Sequence, residues 1–258
     1  MRTVTDDLGT PVLVGDEVVR VVSLVPSLTE SIASTRPAAL VGATQWCSHP
    51  AGLGVERIRG TKNPDVRRIV ELRPDLVVMN QEENRRKDAE TLRAAGVPVW
   101  VTVTQTVPGA LTSLRRLFTV ALGWGEPEWL LRCHEAWAGE VPAPRRRVAV
   151  PIWRDPWMVV GRDTFAGDLL ARLGYANAFA GHADRYPRVA LDDIAAQRPD
   201  LVLLPDEPFP FGTDDGPEAF PGLPVALVPG RFLTWYGPSL LEAKEALVIA
   251  TRLSREGC

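Results

Sequence analysis

The pentapeptide Arg-Pro-Asp-Leu-Val occurs twice in this chain, at Arg73–Val77 and at Arg198–Val202, 125 residues apart. Each copy follows a short helical pattern: Ile69, Val70 and Leu72 before the first, Ile194, Ala195 and Ala196 before the second. Each continues as an apolar run and ends in an acid, Glu82 or Glu207, eight residues after its proline. Proline cannot continue a helix, and a short apolar run bounded by such a breaker reads as a strand buried on both faces of a parallel sheet. Two such units predict two similar α/β lobes.

A chain of 258 residues with 45% apolar content can build two cores of ordinary size. The net charge of −3 and the scatter of basic residues argue against a nucleic-acid partner. Runs such as Arg85-Arg86-Lys87 and Arg145–Arg147 read as solvated faces or boundary segments. Three cysteines, Cys47, Cys133 and Cys258, make no disulfide framework, and no C-x-x-C pattern points to zinc or redox chemistry. The first twenty residues carry Arg2, Asp6, Asp7, Asp16, Glu17 and Arg20, so no signal peptide is legible. No stretch approaches the ~20 apolar residues of a membrane-spanning helix. The expectation is a cytoplasmic protein as the sequence stands, and an extracytoplasmic one if the true start lies upstream.

Along the chain, residues 2–19 read as a hairpin turning at Asp7-Leu8-Gly9, and Val21–Val25 as a buried strand stopped by Pro26. Ser27-Leu28-Thr29-Glu30 matches a capping box and predicts a helix start. A short strand at Val41-Gly42 leads to the loop Gln45–Pro50, in which Cys47 and His49 are two candidate soft-metal ligands without a third. After the first repeat comes the polar loop Asn80–Asn84, then a helix over 86–95 and a strand over 97–103. Apolar residues from Leu111 to Leu122 recur at helical spacing, and a second helix over 127–138 follows. The domain reading is an amino-terminal lobe over 1–105, a helical connection over 106–144 and a carboxyl-terminal lobe over 145–258. In that last lobe a strand over 148–152, a helix over 165–173, the second repeat, a strand over 225–228, a loop over 231–237 and a closing helix over 240–253 are expected.

Ligands of open α/β sheets bind beyond the carboxyl ends of the strands. Those positions carry Trp46, Trp153, Trp157, Phe209, Phe211, Trp235 and Tyr236, so four of the eight tryptophans fall on loops expected to face one cleft. Such clustering suits a large, flat, partly apolar ligand. The polar loop residues Gln81, Glu82 and Glu207 sit at the same ends. G-x-S-x-G, P-loop and H-E-x-x-H patterns are lacking, and His134 and His182 read as packing or surface residues. Glu82 and Glu207 could be taken as a glycosidase-like pair, but nothing in the sequence places them at catalytic separation. Binding without catalysis is the expectation.

The residues Asp6–Gly9, Arg20–Glu30, Val41-Gly42 and both Arg-Pro-Asp-Leu-Val units resemble class III substrate-binding proteins of ABC importers, in particular the cobalamin-binding branch, with iron-siderophore and haem receptors as neighbours. The resemblance spans nearly the whole chain. It implies two Rossmann-like lobes joined by a rigid helix, a ligand held between them with little closure, and no prosthetic group. The ligand it implies is cobalamin or a related corrinoid, with haem or an iron chelate as the alternative and a tetrapyrrole-handling enzyme such as a chelatase as a second one. In the haem alternative His49 or Cys47 would meet the metal. Carried over by position, Trp46, His49, Lys62, Asn63, Trp153, Trp157, Trp235 and Tyr236 would line the pocket. Members dock on a permease through one surface acid per lobe. Asp192 falls at that place in the second lobe, whereas Arg67 falls there in the first. The resemblance also implies a monomer and an ABC importer permease as partner.

Overall fold

A computed structural model describes residues 1–253, so Cys258 lies outside the described residues. The chain forms two compact units. The first comprises residues 1–104, 109–135 and 236–238, and the second residues 105–108, 136–235 and the described residues from 239 onward. The stretch 106–144, expected as a connection, therefore divides between them, most of it packing with the first.

The first unit is built on a five-stranded sheet, in the order Glu56–Arg57, Leu40–Ala43, Val21–Ser23, Leu76–Asn80, Val99–Thr102, with every neighbouring pair parallel. Parallel strands need crossovers that cover both faces, which is why Leu76–Asn80 is buried at all five positions. Val22, Leu24, Val77, Met79, Val99 and Val101 pack with Ile69, Ala89 and Leu92 of the flanking helices Val66–Glu71 and Arg86–Ala94. The amino-terminal hairpin pairs Arg2–Thr5 with Pro11–Val14. It is tied down by Asp6, which accepts from Leu8 N, Thr10 N and the Arg93 guanidinium, and by Asp7, which pairs with Arg116 and Ser113. The helix Val107–Arg116 continues as π-helical turns over Leu117–Leu122 and stops at Gly123, whose φ of 72° is the left-handed conformation favoured at a helix end.

The second unit repeats the scheme with four parallel strands, Tyr175–Asn177, Arg146–Ala149, Leu201–Pro205 and Val225–Val228. Its core gathers Ala149, Val159, Ile194, Val202 and Leu204 with Phe179, Phe211 and Phe220. The helices Phe165–Arg172, Leu191–Ala196 and Leu240–Leu253 flank it.

Both Arg-Pro-Asp segments do the same work. Arg73 and Arg198 hold left-handed φ values of 47° and 50°, which end the preceding helix and turn the chain into the strand. Leu76–Asn80 and Leu201–Pro205, the strands that follow, sit at matching repeat positions.

Two local expectations are corrected. Ser27–Glu30 is not a capping box: the helix Pro26–Ala33 begins at Pro26 with Val25 as its N-cap, so Ser27 is already inside the helix and both Ser27 and Glu30 are buried. Proline is suited to that first helical position because its missing N–H would be unpaired there anyway. The residues expected as a loop over 231–237 form instead the short helix Gly230–Thr234 before the chain turns. Among the described residues no helix is long and apolar enough to cross a membrane.

Candidate ligand-binding faces

In each unit the loops that follow the parallel strands carry the predicted residues. In the first unit, strand Leu76–Asn80 ends in a buried amide that organises everything after it. Asn80 Nδ2 donates to Thr102 O, Thr102 Oγ1 and Thr104 Oγ1 at 3.3, 3.2 and 3.0 Å, while its Oδ1 accepts from Glu82 N at 2.9 Å. Asn84 Oδ1 accepts from Asn80 N at 2.9 Å, and Asn84 Nδ2 donates to Leu24 O and Thr61 O at 3.1 and 3.0 Å. The sequence places both asparagines in a polar loop and assigns neither a role, whereas Asn80 closes the strand itself. The signal that could have found them is an Asn-x-x-x-Asn spacing at the end of a buried strand, where short polar side chains satisfy turn backbone.

That network fixes the loop bearing Gln81 and Glu82. The Gln81 side chain is exposed, and the Glu82 carbonyl accepts from the exposed Lys62 ammonium. Lys62 lies at the turn of a hairpin pairing Arg59–Gly60 with Asn63–Pro64. Trp46, 61% exposed, lies against this hairpin. A Cβ added at Gly60 would stand 3.0 Å from Trp46 Nε1 and 2.6 Å from Asn63 Oδ1, so the close approach of indole and amide requires glycine there. Trp46, Lys62, Asn63 and Glu82 are therefore neighbours.

His49 is half-buried, with Nδ1 3.1 Å from Ser48 Oγ. Cys47 points inward: its sulfur accepts from Thr29 Oγ1 at 3.0 Å and lies 3.2 Å from Thr44 Oγ1, and burial pushes its thiol pKa up. A buried, protonated thiol held by two hydroxyls is packing rather than a metal ligand. Among the described residues no group of three or more His, Cys, Asp or Glu could hold a metal ion.

Tyr236 belongs to the first unit and is 4% exposed. Its hydroxyl lies among those of Ser27, Thr104 and Thr102, and its pKa is raised, first by burial and then by the charge of Glu83. Trp235, in the second unit, is 6% exposed. Both rings were expected on an open loop, and both are buried.

In the second unit the strand-end loops bring rings together. Trp153 and Trp157 occupy the antiparallel hairpin Pro151–Trp153 and Met158–Val159, turned at Asp155 with φ of 54°. Trp153, 43% exposed, meets Phe209 edge-on at 5.7 Å and 79°. Phe209 is tilted against Phe211 at 4.6 Å, and Phe211 is stacked on Trp157 at 5.9 Å and 4°. Trp157 also meets Phe220 edge-on at 5.3 Å. The series runs from exposed Trp153 inward to buried Phe211 and Phe220, so the inner rings hold the outer one in place.

The Arg154 guanidinium lies 5.5 Å above the Trp157 ring and pairs with Asp215 and Glu218. Hydrogen bonding to Arg154 holds the Glu218 carboxyl below the ordinary range. In the loop that leads to Phe209, Asp206 Oδ1 accepts from Gly230 N at 2.6 Å, and the half-buried Glu207 packs so closely on Gly230 that a Cβ there would be 2.4 Å from Glu207 Cγ. Glu82 and Glu207 thus each belong to a loop within their own unit.

The chain superposes on solved periplasmic binding proteins over more than nine-tenths of its length, so the fold implied by the motif resemblance is borne out. No protein-family model matches the chain. It is similar to the vitamin B12-binding protein of Pectobacterium carotovorum, at 23% identity over 243 residues covering 88% of this chain and 86% of that one. Among solved structures, the periplasmic vitamin B12-binding protein of Vibrio cholerae superposes with a TM-score of 0.72 at 19% identity, over 93% of this chain and 98% of that one. A periplasmic heme-binding protein in complex with two hemes superposes with a TM-score of 0.74 at 25% identity, over 92% and 98%.

Proposed function

We propose that this chain is a non-enzymatic binding protein for cobalamin or a related corrinoid, serving ABC-type uptake. The observation that carries the reading is the Trp153–Phe209–Phe211–Trp157 series, with an exposed indole backed by rigid rings at the carboxyl end of a parallel sheet. A flat macrocycle gains both apolar burial and ring stacking on such a face. In the first unit Trp46, Lys62, Gln81 and Glu82 supply a second indole and hydrogen-bonding groups suited to an amide-rimmed ligand. Similarity to vitamin B12-binding proteins over most of the length supports the same ligand class. Haem is the second reading, supported by the likeness to a heme-binding protein.

Docking on a permease is part of the proposal and would be lopsided. Asp192 is exposed in the first turn of the helix Leu191–Ala196, while Arg67, in the equivalent helix Val66–Glu71, is 90% exposed at its side chain and paired with Glu71 at 3.0 Å.

Titrating the purified protein with cyanocobalamin while following tryptophan fluorescence and heat tests the ligand. Saturable quenching is expected, and neither quenching nor heat at tens of micromolar ligand overturns the reading.

A further inference from the structure

Free carboxylates are what separate haem from an amide-rimmed corrinoid. The segments that frame the second unit's aromatic face, residues 153–157 and 206–220, carry six carboxylates, Asp155, Asp206, Glu207, Asp214, Asp215 and Glu218, against a single guanidinium, Arg154. An arginine at a ligand face would ordinarily be the natural partner of a carboxylate, through its paired N–H donors. Here it is committed elsewhere. Its Nη1 pairs with both Asp215 and Glu218, its Nε lies 4.0 Å from Asp155, and its plane rests over Trp157.

We propose that Arg154, neutralised by Asp215 and Glu218, makes this face selective for neutral or cationic corrinoids and against macrocycles that bear free carboxylates. The inference rests on the binding function proposed above and deepens it. A ligand carboxylate brought beside Trp153 would come near Asp155, Asp215 and Glu218, and would compete with the last two for the Arg154 guanidinium. Like charges in such proximity cost affinity, more so where the ring excludes water. A carboxamide edge brings no charge and loses nothing. Asp215 and Glu218 therefore act by occupying the arginine, and the ligand need not touch them.

The test compares haemin, cyanocobalamin and dicyanocobinamide on three proteins: the unaltered chain, Asp215→Asn/Glu218→Gln, and that pair combined with Arg154→Gln. The unaltered chain should prefer the corrinoids by about tenfold or more. Freeing Arg154 in the double variant should tighten haemin by about tenfold and leave corrinoid affinity within about threefold. Adding Arg154→Gln should remove the gain. A measurement without variants is ionic strength: haemin affinity should rise with salt as repulsion is screened, while corrinoid affinity stays level. Equal affinity for haemin and corrinoid, a haemin affinity that salt does not raise, no gain in the double variant with unchanged near-ultraviolet circular dichroism, or a gain that survives Arg154→Gln would each overturn the selectivity while leaving the binding function standing. Failure of all three ligands to bind the unaltered chain would overturn the binding function itself, and the selectivity with it.

Discussion

Asp75 reaches across from the start of its own strand to grip the backbone of Arg20: its Oδ2 accepts from Arg20 N at 2.8 Å and from Val19 N at 2.9 Å, while Asp75 N donates to Arg20 O at 2.8 Å. The arginine side chain returns the contact, donating to Leu72 O at the end of the preceding helix. In the second unit Asp200 Oδ2 accepts from Arg147 N at 2.7 Å, Asp200 N donates to Arg147 O at 2.8 Å, and Arg147 Nε donates to Gln197 O. One clamp, repeated after 125 residues, registers the central strand pair of each sheet.

Asp75→Ala and Asp200→Ala each remove an acceptor from the first residues of the neighbouring strand. Each should lower unfolding free energy by about 1 kcal/mol, the low end for a lost hydrogen bond because water reaches this sheet edge. Urea denaturation reads the change. An unaltered midpoint in both variants would show that the clamp is dispensable.

Trp153 offers the most exposed ring of the aromatic series and is expected to be an anchor for ligand. Trp153→Ala should weaken cyanocobalamin binding by about tenfold or more, and Trp153→Phe should keep most of it. Calorimetric titration of the two variants separates ring stacking from any general effect of the hairpin.

Gly216 sits at φ of 126°, and a Cβ there would lie 2.7 Å from Phe211 and 2.9 Å from Leu204. Gly216→Ala strains the backbone and pushes Phe211 off Trp157. A loss of at least about 1 kcal/mol in stability is expected, together with a weaker near-ultraviolet circular dichroism signal. Retention of both would mean that the loop relaxes around the methyl group.

Cys133 is buried, and burial pushes its thiol pKa from 9.0 to about 12. Because the native value is the higher one, the native chain holds this proton where the unfolded chain has lost it. Its contribution to stability is complete below pH 9 and declines as pH rises from 9 towards 12, by up to ~1.4 kcal/mol per pH unit. Cys133→Ala should flatten that part of the alkaline stability profile measured by urea unfolding. The native thiol should also resist alkylation until urea is added.

Much of the scaffold was legible before any coordinates. The repeat strands, the hairpin, the helix Arg86–Ala94 and the closing helix Leu240–Leu253 follow from apolar runs, periodicity and proline stops, which are codes carried by neighbouring residues. Placing aromatic residues at strand ends was also a local inference, and for Trp153, Trp157, Phe209 and Phe211 the structure gathers the rings into one group. The Ser27–Glu30 capping box misled because a sequence motif does not say where the helix starts, and Pro26 claims the first helical position.

The sequence by itself determined a duplicated α/β chain with ring-bearing loops at its strand ends, because strand, helix and turn preferences act over a few residues. Only the tertiary structure decided which of those side chains face outward. Tyr236 turns into hydroxyls supplied by Ser27, Thr102 and Thr104, and Asn84 bonds to the carbonyl of Leu24, sixty residues away. Arg154 is likewise spent on Asp215 and Glu218, distant in the chain. Burial and pairing depend on partners that a linear pattern does not bring together, so the scaffold is local information and the chemistry of its faces is not.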